Sequence, residues 1–176
     1  MGLAAARAIS KLRQNRQGTK MSKSLKRVKA TLKNAGLAAE VLEMPGETRT
    51  ALQAAEAAAC ALDQIVKSII FRGIHSNTVL LFLTAGGNQV CPDKASGLAA
   101  EPLCKADATL IRAQTGFAIG GVAPLGHLNP IRAFMDPRLL EFDIIWAAAG
   151  TPRHIFPIDP ATLSQISNAQ LSDFIA

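Results

Sequence analysis

"QIVKSIIFRGIHSNTVLLFLTA", residues 64–85, holds the two segments that decide what this chain is built on. "QIVKSIIF" is dense in β-branched residues and reads as a strand, "TVLLFLTA" reads as a second, and "GIHSN" between them is a turn. A sheet is therefore expected at the centre of the fold. Strand alternation puts Lys67 on the face shared by Ile65, Ile69 and Phe71. A lysine there has two readings. Its ammonium is aimed at a negative group or an open cleft, because an isolated buried charge is costly, or its stem lies along a half-exposed face with the head in water.

On the N-terminal side, Leu25, Val28, Leu32 and Ala35 recur at helical spacing and Gly36 follows as a stop, which predicts a helix over 24–35. "LAAEVLEMPG" reads as a short strand ended by Pro45 and Gly46. Thr50 and Gln53 have the form of a capping box, so a helix is expected from Ala51 to about Ala61, its alanines able to lie close against a sheet. On the C-terminal side, Gly86-Gly87-Asn88 is a turn and "NQVCP" a short strand. "DKASGLAAEPLCK" is a helical or irregular connector, and "ATLIRAQTG" a helix. "IRAFMDPRLLEFDIIWAAAG" then opens with a strand, followed by a helical turn from Asp136 to Leu140 started by Pro137. "DIIWAAAG" and "TPRHIFPID" are strands, and Asp159 caps a final helix with Pro160 in its first turn. Strands and helices mixed without regular βαβ alternation argue for a single α+β domain with a mixed sheet.

The chain has 176 residues, 49% of them hydrophobic and 18% charged, enough for one domain with a real core. No apolar run approaches the ~18 residues of a membrane span. The formal charge of +6 is unevenly placed: residues 1–33 hold ten Lys and Arg and no acid, leaving nine bases against thirteen acids in the remainder. Residues 1–20 therefore read as a basic extension to a domain over 21–176, with Met21 a second plausible start. The acid-free opening has the composition of a transit peptide, and an ordered basic helix would suit an RNA backbone, but the expected reading is a dispensable extension, with RNA contact next. Cys60, Cys91 and Cys104 are odd in number and share no metal-binding spacing, so a reducing cytoplasm is the expected setting and no metal or cofactor is indicated.

"TGFAIGGVAPLGH", residues 115–127, is the least ordinary stretch. Glycines permit close backbone approach, so successive N–H groups can converge on an oxygen, while Pro124 fixes its own φ and biases Ala123 to extended backbone. Such a segment is either an oxygen-binding corner or a tight turn. It is neither a P-loop nor a dinucleotide fingerprint, and the chain has no nucleophile elbow. His127, directly after it, could donate to a substrate oxygen or act as acid or base. For His75 and His154 a surface or packing role is expected. "AAAGTPRH" is a second glycine-proline corner, with room for a ligand.

Four blocks in order, "AAEAAACALDQIVKSIIF", "LFLTAGGNQVCPDKASGLA", "CKADATLIRAQTGFAIGGVAPLGH" and "FDIIWAAAGTPRHIFPIDPATL", resemble the YbaK/EbsC family, related to the editing domain of bacterial prolyl-tRNA synthetases. The resemblance spans roughly residues 22–171. It implies a compact, barrel-like mixed sheet surrounded by helices. The activity it implies is that of a free-standing deacylase that removes amino acids wrongly attached to tRNA, most often tRNA(Pro) carrying Cys, Ala or Ser. On this chain it implies Lys67, Gly120, Gly121 and Pro124 as catalytic positions and Ser68, Val122, Ala123, His127 and Gly150 as substrate-binding ones. Aminoacyl-tRNA is the implied partner and prolyl-tRNA synthetase a candidate one, with no membrane and no cofactor. The alternative is a non-catalytic module of the same fold that binds aminoacyl-tRNA, a nucleotide or a synthetase.

Overall fold

The computed structural model describes residues 21–44, 46 and 50–176; the basic extension over 1–20 lies outside the described residues. Helix α1 (Lys23–Asn34) begins where Ser22 accepts from the Leu25 N–H, and it buries Leu25, Val28 and Leu32. Helix α2 (Ala51–Ala58) has the expected capping box but stops three residues early, with Ala59 in the left-handed region at φ 51°. The reason lies beyond it. Residues Leu62–Gln64 form a separate 3₁₀ turn whose side chains are already engaged, Gln64 donating to the Ile144 carbonyl and Asp63 accepting from the Gly87 N–H.

Strands β1 (Leu42–Glu43), β2 (Ile65–Gly73) and β3 (Val79–Ala85) lead to helix α3 (Pro92–Ala99), strand β4 (Leu103–Lys105) and helix α4 (Ala108–Thr115). Then come β5 (Arg132–Met135), β6 (Ile145–Ala148), β7 (His154–Ile158), α5 (Pro160–Ser167) and β8 (Gln170–Leu171). The predicted connector after residue 92 is thus a helix followed by a short strand. The predicted strand at "NQVCP" contracts to a single bridge between Val90 and Ile175, and β8 had no counterpart in the sequence reading.

All eight strands join one mixed sheet in the order β1-β7-β6-β2-β3-β5-β8, with β4 also paired to β2. β3 is buried along its whole length because both faces are covered. Leu81, Leu83 and Ala85 meet the main core beneath α1, α4 and α5, while Leu80 and Phe82 join Phe134, Phe174 and the alanines of α3. This two-sided burial explains why "TVLLFLTA" is apolar at both parities. A third cluster, around Trp146 and Ile155, takes up the small face of α2, where Ala54, Ala55 and Ala58 are buried.

One buried carboxylate ties the far end of this framework. Asp136 is 2% exposed and accepts from the Ala85 N–H at 3.1 Å, the Asn88 amide at 2.8 Å and the Arg138 N–H at 2.9 Å. It thereby fastens the turn after β3 to the end of β5. Asp136→Ala would strand three donors, and the expected loss of stability is about 2–4 kcal/mol, measured by urea unfolding. A loss under about 1 kcal/mol would mean that the turn is held by other contacts.

Candidate active site

The site begins with an interruption in the sheet. On one edge β2 is paired with antiparallel β3 over Val66–Arg72. On the other edge parallel β6 reaches only Ile65 and Val66, and antiparallel β4 only Phe71 to Gly73. Between them Lys67 to Ile70 has no strand beside it. An open cavity of about 290 Å³ occupies that gap, at the small end of the roughly 300–1,000 Å³ range of ligand pockets. Its walls are β2 over residues 65–69, the start of α2 at Thr50, Ala51 and Ala54, and Trp146 and Ala148 of β6. Gly120, Val122, Thr151, Pro152, His154 and Ile155 close the other side.

Lys67 lies on the cavity wall, and its ammonium donates to the Asn88 carbonyl. Burial pulls its pKa below the ordinary lysine value, and the carboxylates of Asp63 and Asp136 oppose that shift. An ammonium has three donors, so the bond to Asn88 leaves two for a ligand. Asn88 is in turn held by Asp136, which makes the turn after β3 a support for Lys67.

The Thr115 to His127 segment is pinned from outside by α1. Arg27 donates to the Gly116 carbonyl at 2.9 Å and to the Gly126 carbonyl at 3.0 Å, and its guanidinium lies 4.9 Å from the Phe117 ring centre. Both ends of the bare stretch are therefore fixed by one side chain. Gly120 has φ 83°, a conformation that other residues rarely adopt, and it lines the cavity. Gly121 is needed for a different reason: a Cβ there would stand 2.7 Å from the Thr151 backbone. Its N–H donates to the Ala118 carbonyl at 3.0 Å, so it is spent within the turn.

Of the nine residues expected from the sequence, Lys67, Ser68, Gly120 and Val122 line the cavity together, and Gly121 sets the approach of the loop to Thr151. The others stand behind them. Ala123 and Pro124 are buried in the loop, and Gly150 packs against Phe117 and the Ser24 backbone of α1. His127 bonds through Nε2 to the Ala123 carbonyl at 2.8 Å and meets Phe117 edge-on.

His154, expected from the sequence to have a surface or packing role, lies on the cavity wall with Nδ1 hydrogen-bonded to Thr151 Oγ1 at 2.6 Å. Burial lowers its pKa, Glu43 opposes this, and Lys29 and Arg153 add to it, so the ring is neutral at pH 7. The only sequence signal was its place beside the second glycine-proline corner. Among the described residues no three His, Cys, Asp or Glu side chains converge as metal ligands, and no helix is long and apolar enough to cross a membrane.

The chain is similar in sequence and fold to known proteins. A family model described as an aminoacyl-tRNA editing domain matches residues 45–166. The uncharacterized protein YwhH of Bacillus subtilis (strain 168) is 30% identical over 131 residues, which cover 73% of this chain and 81% of YwhH. A crystal structure of a protein proposed to be a trans-editing enzyme for prolyl-tRNA synthetase is 40% identical, with a TM-score of 0.83, and the match covers 89% of this chain and 99% of that one. A structure from a study of epitope grafting onto scaffold proteins is similar at 39% identity and a TM-score of 0.82, with the same coverage.

The setting of His127 generates a prediction about stability. Burial lowers its pKa from 6.5 to about 4, against the hydrogen bond to Ala123, with Arg27 adding to the shift. As pH falls, the unfolded chain takes up this proton before the folded one. The stability is therefore complete above pH 6.5 and is lost as pH drops towards 4. Between pH 7 and pH 5 the loss should be on the order of 2 kcal/mol. His127→Gln, which keeps a donor for Ala123, should lack that part of the acid sensitivity in urea titrations at the two pH values. An unchanged pH dependence would contradict this account.

Proposed function

The chain belongs to the aminoacyl-tRNA editing-domain family, and from that premise we propose that it is a deacylase acting in trans on mischarged tRNA, hydrolysing the ester of tRNA(Pro) that carries Ala, Cys or Ser. The catalytic unit in this reading is residues 21–176, with residues 1–20 an extension that adds positive charge for RNA. The observation that carries the proposal is the small cavity between the open edge of β2 and the Gly120–Val122 segment, with Lys67 on its wall. A volume of about 290 Å³ suits an aminoacyl group and leaves the nucleotides of the tRNA end outside.

Such an enzyme answers a limit of molecular recognition. A synthetase pocket gains only about 1–3 kcal/mol per methylene, so a proline site cannot fully exclude smaller amino acids, and a second, hydrolytic site can take what is small. In this reading Lys67 holds a phosphate or hydroxyl of the tRNA 3′ end with its two remaining donors. The Gly120–Val122 segment faces the bound ester, and a water attacks its carbonyl carbon. His154, neutral and oriented by Thr151, takes a proton from that water and returns it to the departing ribose oxygen. An ester is reactive enough for positioning to supply much of the rate without a protein nucleophile.

The test is deacylation of Ala-, Cys-, Ser- and Pro-tRNA(Pro) under single-turnover conditions. At least one small aminoacyl group should be released at a rate well above the uncatalysed one, with Pro-tRNA(Pro) spared. Lys67→Ala should remove most of the activity, on the order of a hundredfold, with thermal stability retained. Binding of aminoacyl-tRNA without turnover of any member would favour the non-catalytic module instead. His154→Ala is expected to lower the maximal rate and to remove the acid-side fall in rate, which burial of His154 places below the ordinary histidine range. A parallel acid limb in both proteins would take His154 out of the proton transfers.

A further inference from the structure

The gap in the sheet also dictates how a substrate sits. Successive strand residues turn their backbone groups to opposite edges, and the phase of β2 is fixed at its end. The Gly73 N–H donates to Thr78 beside β3, whereas the Ile74 N–H donates to Pro102 beside β4. Even-numbered residues of β2 therefore present both N–H and C=O to the β6 and β4 side. Ser68 is the even-numbered residue at the centre of the unpaired stretch, so its N–H and C=O both face the cavity, with no strand there to take them. The Ser68 hydroxyl, buried and without a hydrogen-bond partner, adds a further polar group at the same position.

An aminoacyl ester is one residue of a polypeptide with a charged amino end. Its α-ammonium donates and its carbonyl accepts across a single Cα, the spacing with which one strand residue pairs with another. We propose that the open backbone of Ser68 binds the aminoacyl group as a single added strand residue. The Ser68 C=O accepts from the α-ammonium, and the Ser68 N–H donates to the ester carbonyl oxygen. The inference rests on the deacylase reading and gives it a recognition rule, the requirement for a free α-amino group.

The chemistry follows directly. Water adds to the carbonyl carbon, and the π electron pair moves onto the oxygen that the Ser68 N–H holds, where a fixed donor stabilises the developing charge. The tetrahedral intermediate collapses and its bond to the ribose oxygen breaks. That oxygen leaves with the proton given up by the water, so the products are the free amino acid and the tRNA hydroxyl. Recognition by backbone leaves side-chain selection to the far wall, in the manner of an edge strand that accepts a peptide.

The test compares alanyl-, lactyl- and propionyl-tRNA(Pro), which carry an ammonium, a hydroxyl and a hydrogen on the same carbon. Each rate is divided by that ester's own uncatalysed hydrolysis. The acceleration should fall from alanyl to lactyl to propionyl, with the last roughly ten- to a hundredfold below the first, the worth of a hydrogen bond to a charged group. Equal accelerations would overturn the proposal while leaving the deacylase reading intact, and no acceleration of any ester would overturn both. Ser68→Pro deletes the N–H on an open edge where proline is tolerated. A folded Ser68→Pro protein should lose at least tenfold with alanyl-tRNA, and wild-type rates in it would also overturn the proposal.

Discussion

The incomplete pairing of β2 is the constraint on which the rest depends. One edge of the strand is held by β3 along its length, which makes β2 rigid and central. The other edge is covered only at its ends, by β6 and β4, so a few residues of a core strand keep open backbone beside a cavity. Uncovered strand edges are usually avoided because they invite pairing with other chains. Here the gap is short, lies inside the sheet and is roofed by two loops. Lys67 stands where that opening meets the polar turn after β3.

The roof is as firmly set as the floor. Arg27 fixes both ends of the glycine stretch, and the approach of Gly121 to Thr151 brings the two loop corners together. Behind the roof, His127 and Phe117 fill space that would otherwise let the loop sag. Preorganisation of this kind suits a reaction in which fixed donors act on a charge that develops on the substrate. The support for Lys67 follows the same principle, since Asp136 and Asn88 are positioned before any substrate arrives.

The local part of this arrangement was legible in the sequence. Strand alternation placed Lys67 on a definite face, capping chemistry located α2, and the glycines with Pro124 marked the loop. What was not legible depends on contacts distant in the chain. The gap exists because β6 ends at Ala148 and because three residues, Leu103 to Lys105, form a strand within a segment that reads as a connector. The place of His154 on the cavity wall likewise depends on how β7 and the Thr151 corner sit against β2. The commitment of the Gly121 N–H to Ala118 is a turn detail that glycine content does not encode.

The central claim is that the open edge of β2 and the Gly120–Val122 segment enclose the aminoacyl group. The most direct measurement is a crystal structure with 3′-alanylamino-3′-deoxyadenosine, in which an amide replaces the labile ester. The alanyl group should lie in the cavity, its ammonium on the Ser68 carbonyl and its carbonyl oxygen on the Ser68 N–H, with the adenosine at the mouth. An alanyl group bound at saturating concentration anywhere other than against β2 would contradict the account.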